Sequence, residues 1–258
     1  MARVVVITGA AGGIGTQLRA HLEARGGYEL RLLDIDPRGD PHIIQADLSL
    51  MDDRWIAQFE GADAVVHLAA NPQPNATWDA LIAPSVDAVL NVYLAAAHHK
   101  VGRVVLASSI WAMAARLADA GPIEAAAQPD PGANAYGASK LFAERVAYAM
   151  WRAHGVPTVA LRIGGMREAA DAIDVWGYGC WLSVRDGCQG LELAIRAPIE
   201  GVLVANLTSA NAGSRWSLET TREALGFAPQ DGVAASRNAT RPPASHLIAR
   251  LLKPRRSA

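Results

Sequence analysis

Lysine is nearly missing from this chain of 258 residues: Lys100, Lys140 and Lys253 stand against 21 arginines. Cysteine is scarcer still. Cys180 and Cys188 are too few for a disulfide framework or a zinc site, so no metal is expected, and they read as reduced thiols in a cytoplasmic protein. No sign of charge dominates. A formal net charge of −1 gives no basic field to hold nucleic acid and no acidic block typical of a disordered tail. Apolar stretches such as residues 4–7 and 64–68 are far too short to span a bilayer, so no membrane partner is expected. Met1, Ala2 and Arg3 run straight into a strand-like segment, leaving no room for a signal peptide.

What the chain does have is alternation. Strands are predicted at residues 4–7, 30–33, 42–45, 64–68, 103–107 and 158–163, and helices over 14–25, within 78–99 and over 136–154. Strands that are apolar on both faces and alternate with helices argue for an α/β fold, a doubly wound parallel sheet covered on each side. The length suits one core. Beyond Ile163 the pattern loosens: residues 164–187 read as irregular loops, 191–196 as helix, 202–206 as strand and 217–225 as helix. From Gly232 onward there are six basic side chains and no acid, with Pro242, Pro243 and Pro254. A solvated tail or a strap over a neighbour is the preferred reading of that segment, ahead of anion binding.

The stretch VVVITGAAGGIGTQL places Gly9, Gly12, Gly13 and Gly15 between the first strand and its helix. Glycines there let the backbone turn tightly and approach a pyrophosphate, whose charge the amides of a helix N-terminus stabilise. Asp34 closes the second strand. A carboxylate at that place accepts from both ribose hydroxyls and repels a 2′-phosphate, which favours NAD over NADP; Arg38 lies nearby, and a simple turn cap before Pro37 is the alternative.

In NAYGASKLFAE, Tyr136 and Lys140 are four residues apart on a helix and share one face. A phenol ionises near pH ~10, and bringing it to neutrality takes roughly 4 kcal/mol, which a fixed ammonium and an oxidised nicotinamide supply in part. One of three lysines thus sits where a compact charge tunes a base. Ser108 and Ser109 end the fifth strand, where a hydroxyl is placed to hold a substrate oxygen; an ordinary strand end explains the same pair.

These pieces resemble the extended, NAD-dependent epimerase/dehydratase branch of the short-chain dehydrogenase/reductase superfamily. The likeness rests on TGAAGGIG, ADLS, VVHLAA, YGASK and LRIGG and covers residues 3–165 well. It implies a Rossmann fold, with residues 1–163 as an NAD-binding core, 164–231 as a small substrate-binding region and 232–258 as the basic C-terminal segment. It also implies Tyr136 as the acid/base, Lys140 as its electrostatic partner and Ser109 as the substrate-orienting hydroxyl. NAD would lie along Gly9, Ala11, Gly12, Gly13, Ile14 and Gly15, then Asp34 and Ile35, Asp47 and Leu48, Leu68, Ala69 and Ala70, and Ile163, reaching Tyr136 and Lys140. A homodimer through the helices near 86–99 and 136–154 follows by analogy, with Phe142, Val146, Ala149 and Met150 as apolar surface; packing inside the monomer explains these residues as well.

Within the branch the sequence is similar to the uronate dehydrogenases, which oxidise the C1 hydroxyl of a hexuronic acid to a lactone. It departs from them where they touch substrate. Ile110 and Trp111 replace an asparagine and a histidine, Gly165 replaces a serine, Ser85 replaces a helix asparagine, and no arginine stands near 174–176. The expected substrate site is therefore Asn71, Ser109, Ile110, Trp111, Tyr136, Gly165 and Trp176, with Met113 as a further apolar wall. Arg167 and Arg185 are candidates for an acidic substrate, each also explicable as a surface residue. The activity implied is oxidation of an alcohol or hemiacetal on a small sugar, sugar acid or cyclic alcohol. An epimerase or dehydratase is the alternative, and a non-catalytic dinucleotide sensor is the more remote one.

Overall fold

The computed structural model describes residues 2–170 and 179–234. Trp176 and all but the first three residues of the basic C-terminal segment lie outside the described residues. The chain runs β1 (Arg3–Thr8), α1 (Gly13–Arg25), β2 (Tyr28–Asp34), β3 (Ile43–Gln45), α2 (Asp53–Ile56) and β4 (Ala64–His67). It continues through α3 (Trp78–Leu81), α4 (Ala88–His98), β5 (Val104–Ser109), α5 (Ala135–His154) and β6 (Thr158–Ile163). The remainder is β7 (Gly165–Met166), β8 (Trp181–Leu182), α6 (Val184–Arg196), β9 (Val202–Leu207) and α7 (Glu219–Leu225).

Seven strands form one sheet in the order β3-β2-β1-β4-β5-β6-β9, with every neighbouring pair parallel. The period of two in each strand decides which layer a side chain enters. Val5 and Ile7 pack with Leu18 and Leu22 of α1 and with Leu191 and Ile195 of α6. Val6, between them, packs on the opposite face with Val92 and Tyr93 of α4 and Ala143 and Ala147 of α5. Burying each large apolar side chain contributes about 1.5–3 kcal/mol, which is why the β-branched runs hold the centre of the sheet. The order in which strands are added reverses at β1, which pairs with β2 on one side and β4 on the other. In such sheets ligands bind beyond the strand ends at that switch point.

Three expectations change. Trp78–His98 is one continuous helical run of 21 residues with mean hydropathy 1.6, long and apolar enough by composition to cross a membrane, where only short apolar runs were expected. Its inner face, Val89, Val92, Tyr93 and Ala96, is buried against the sheet, while Leu90 and Leu94 are exposed. A π-helical stretch, Ile82–Asp87, joins α3 to α4 at Pro84, which has no amide proton to give the helix ladder. Second, residues 164–187 are not all loop: β7 pairs with β8, and α6 begins at Val184. Third, Val146 and Met150 belong to the monomer core at 6% and 9% exposure, so of the apolar residues expected on the outer face of α5 only Phe142 and Ala149 remain exposed.

Candidate active site

A cleft of about 730 Å³ runs along the carboxyl ends of the strands, from Asp34 and Asp47 at one end to Gly165 and Arg167 at the other. Its cofactor-like end is backbone. Gly9 turns with φ +71°, and a Cβ there would lie 2.7 Å from the Ala69 amide nitrogen. A Cβ at Gly15 would meet the Gly9 carbonyl oxygen at 2.3 Å, so both positions require glycine. Gly13 is different: nothing stands within 4 Å of its missing Cβ, and a side chain there would fill the groove. Gly12 caps α1 without a side-chain hydrogen bond, and no acidic residue occupies the first turn. Helix amides beside an open groove fit a pyrophosphate.

Asp34 accepts from the Ala11 amide at 2.9 Å and, through its other oxygen, from the Asp36 amide at 3.1 Å. The turn-capping reading is thus realised, and a carboxylate with about four acceptor positions keeps others for ribose hydroxyls. Asp47 likewise accepts from the Ser49 amide and hydroxyl at 3.0 and 2.6 Å. Ile35, Leu48, Leu68, Ala70 and Ile163 join the same wall, as do Gly12, Ile14 and Ala69. Ala11 does not: it is buried behind the turn and acts through its amide on Asp34.

The reactive end gathers on β5 and α5. Asn134 caps α5, accepting from the Gly137 amide at 2.6 Å and donating to the Pro74 carbonyl at 2.7 Å, which ties the cleft rim to the helix. Gly137 is required by close approach, since its Cβ would lie 2.3 Å from the Trp111 carbonyl oxygen. That contact brings Tyr136 beneath the segment that follows Ser109. The Ser109 hydroxyl accepts from the Trp111 amide at 3.3 Å and faces the same cleft as the Tyr136 phenol. Lys140 is buried, donates to the Ala107 carbonyl at 2.9 Å, and lies with its nitrogen 5.6 Å from the Tyr136 ring centroid.

The electrostatics differ from expectation. Burial pushes the Tyr136 phenol above its ordinary value, and the Ser109 hydroxyl pulls it only part of the way back. Burial also lowers Lys140 to about 8. In the protein alone both groups are driven toward neutrality, because desolvation penalises phenolate and ammonium alike. The pair is in place, but a lowered tyrosine is not what this structure holds.

Other placements were not legible in advance. His67, on β4, shares a 2.8 Å hydrogen bond with the Thr8 hydroxyl and is driven down to about 3 by burial and by the charge of Lys140. Behind Ser109, the Ser108 hydroxyl donates to Glu144 at 2.6 Å, and Arg162 donates to both oxygens of that carboxylate at 2.8 Å. Arg162 also donates to the Ala125 carbonyl at 3.0 Å, so the buried pair joins β5, α5, β6 and the loop before α5.

Ile110, Trp111 and Gly165 line the cleft as expected, with Arg167 and Met166 beside them. Asn71 is not on the wall: its side chain donates to the Ala80 carbonyl and accepts from the Gln73 amide, and its own amide donates to Ser85. Met113 is fully buried below the cleft with Ile123 and Trp216. Arg185 pairs with Asp231 on the surface. Trp176 lies outside the described residues.

Over residues 5–166 the sequence matches the NAD dependent epimerase/dehydratase family. The chain belongs to this family. It is 34% identical over 256 residues to an L-arabinose 1-dehydrogenase (NAD(P)(+)) of Haloferax volcanii, covering 91% of this chain and 98% of that one. It is 31% identical over 241 residues to a uronate dehydrogenase of Pseudomonas putida, covering 91% and 87%. A solved structure of a mutated uronate dehydrogenase superposes with a TM-score of 0.78 at 30% identity, covering 90% of this chain and 83% of that one. This family member is an NAD-dependent oxidoreductase with a Rossmann-like sheet.

Proposed function

We propose that this oxidoreductase oxidises the ring hemiacetal hydroxyl of a small sugar or sugar acid to a lactone. The observation that carries the reading is that Ser109, Tyr136 and Lys140 line one end of the cleft that the glycine turn opens, with the Lys140 nitrogen 5.6 Å from the Tyr136 ring centroid. The names of the relatives support a sugar substrate. When bound, NAD supplies the hydride acceptor and a positively charged ring. Ser109 holds the substrate hydroxyl, and Tyr136 takes its proton. Lys140 stabilises the phenolate that precedes transfer, offsetting the burial that otherwise keeps the phenol neutral. Gly9, Gly12, Gly13 and Gly15 hold the pyrophosphate, Asp34 the adenosine ribose, and Asp47 and Leu48 the adenine. Ile110, Trp111 and Gly165 wall the substrate end.

The chain divides functionally into a cofactor-binding part through residue 163 and a substrate-binding part after it. A cytoplasmic homodimer fits the exposed Leu90, Leu94, Phe142 and Tyr148 on α4 and α5. Steady NADH formation from an aldose or uronic acid, with stoichiometric lactone, is the expected result. Sugar conversion with no net NADH would instead assign an epimerase.

A further inference from the structure

We infer that the amino end of the sheet, opposite the cleft, carries a second site, which takes a phosphate group as the free ion or as a monoester. A pocket of about 280 Å³ lies there, lined by Arg3, Arg25, Tyr28, Glu192 and Arg196 around the turn at Gly26 and Gly27. Helices in a parallel sheet run back against the strands, so the pocket sets the start of β1 beside the ends of α1 and α6. The 13 residues of α1, about 20 Å of helix, separate it from the glycine turn. Nothing stands within 4 Å of the missing Cβ atoms of Gly26 and Gly27, which leaves the mouth open.

A fourth arginine stands beside the pocket. Val5 and Ile7 of β1 and Val105 and Ala107 of β5 pack in one cluster with residues of α1 and α6. Arg3 and Arg103 continue those two alternations by one step, so both belong to the same face of the sheet. Burial lowers Arg103 from its ordinary value, and the charge of Arg3 lowers it further. Nη1 of Arg103 is buried and has no hydrogen-bond partner among the described residues. The Arg3 side chain likewise forms no ion pair among them.

Glu192 is the acid of this pocket, and it is already engaged. It accepts from the Tyr28 hydroxyl at 2.9 Å and shares a 2.8 Å bond with His21, while Arg25 and Arg196 approach it at 3.5 and 3.6 Å. Arg25 and Arg196 stand in the last turns of their helices, where the dipole favours a cation with or without a ligand. Arg3 and Arg103 have no such local reason. Four guanidiniums gather around one carboxylate in a chain whose net charge is −1. A phosphate bound among them supplies the acceptors that these donor forks lack. The volume falls just below the range of about 300–1,000 Å³ that drug-sized ligands fill, which suits a phosphate group and not a whole dinucleotide.

The test is calorimetric titration of the NADH-loaded full chain with inorganic phosphate and, separately, with glycerol phosphate, at constant ionic strength. NADH keeps the cofactor groove filled, so the phosphate that is measured lies elsewhere. Saturable binding of one ion per chain is expected, with Kd below about 1 mM. Arg3→Gln and Arg103→Gln should each weaken it about tenfold. Glu192→Gln should tighten it several-fold by removing the repelling charge, a gain that a cluster serving only the fold would not show. Arg3 is part exposed at the start of β1, so Arg3→Gln keeps the test decisive even where Arg103→Gln fails to fold. The tighter of the two ligands tells the free ion from a monoester. Absence of saturable binding, or an affinity unmoved in both Arg3→Gln and Glu192→Gln, would overturn the proposal. No turnover enters the measurement, so the oxidation reading of the cleft stands or falls separately.

Discussion

The two ends of the cleft are built from different materials. At the adenosine end the wall is largely main chain, made by Gly9, Gly12, Gly13 and Gly15 and closed by a carboxylate on β2. At the substrate end it is side chain, carried on the segment after Ser109 and on the short β7–β8 pair. Backbone cradles tolerate little change, because a single Cβ fills them; side-chain walls are exchangeable one residue at a time. This explains how a chain matches its family through residue 166 while Ile110, Trp111 and Gly165 are expected to depart from the uronate dehydrogenases.

Behind Ser109 lies the Glu144–Arg162 pair, whose side chains are each 3% exposed and which joins β5, α5 and β6. Breaking a buried pair by removing one partner costs about 3–5 kcal/mol. Glu144→Ala is therefore expected to lower the melting temperature by roughly 10 °C. A fall of a degree or two would show that β5, α5 and β6 are held together by other contacts.

Asp34→Ala sharpens the comparison from one side. Losing charge-assisted hydrogen bonds worth about 1.5–3 kcal/mol should weaken NAD binding by about tenfold or more. The same change should leave the ranking of sugars untouched. An altered sugar ranking would mean that the two ends are not independent.

The smallest effect concerns Lys140. Its folded value is about 8 against an ordinary 10.5, so between those limits the unfolded chain binds more protons than the native one. Stability of the protein without cofactor should rise with pH across that window. Cys188, raised by burial to about 11, opposes the trend above its ordinary 9.0, which makes pH 8 to 9 the interval to measure. The gain there is about 1 kcal/mol, and Lys140→Met should abolish it. An equal rise in the variant would place the titration elsewhere.

How much of this the sequence revealed follows the same division. The span predicted for β6, residues 158–163, is the strand observed, and β1 and β5 were found to within a residue or two, because buried parallel strands read as continuous β-branched runs. The turn, Asp34, Tyr136 and Lys140 were legible because their spacing follows from the backbone they serve. The first two turns of α6 were not. Gly187 and Gly190 look like loop residues, yet their missing Cβ atoms would lie 2.6 Å from the Met166 sulfur and 2.5 Å from Leu207 Cδ1. Asp186 looks exposed but is fully buried, accepting from Ser209, Gln230 and Asp231. Tertiary packing chose those residues, and no local period records it. Asn71 and Met113 were misplaced for a related reason: nearness in sequence to the site does not say which way a side chain turns.

Tyr136→Phe reaches the centre of the account, assayed for turnover and for NAD affinity in the same preparation. Removing the phenol oxygen should cut kcat/KM by about a thousandfold, the scale of lost acid–base catalysis, while the NAD Kd moves less than about threefold. Turnover within a few-fold of wild type would contradict the role given to this tyrosine.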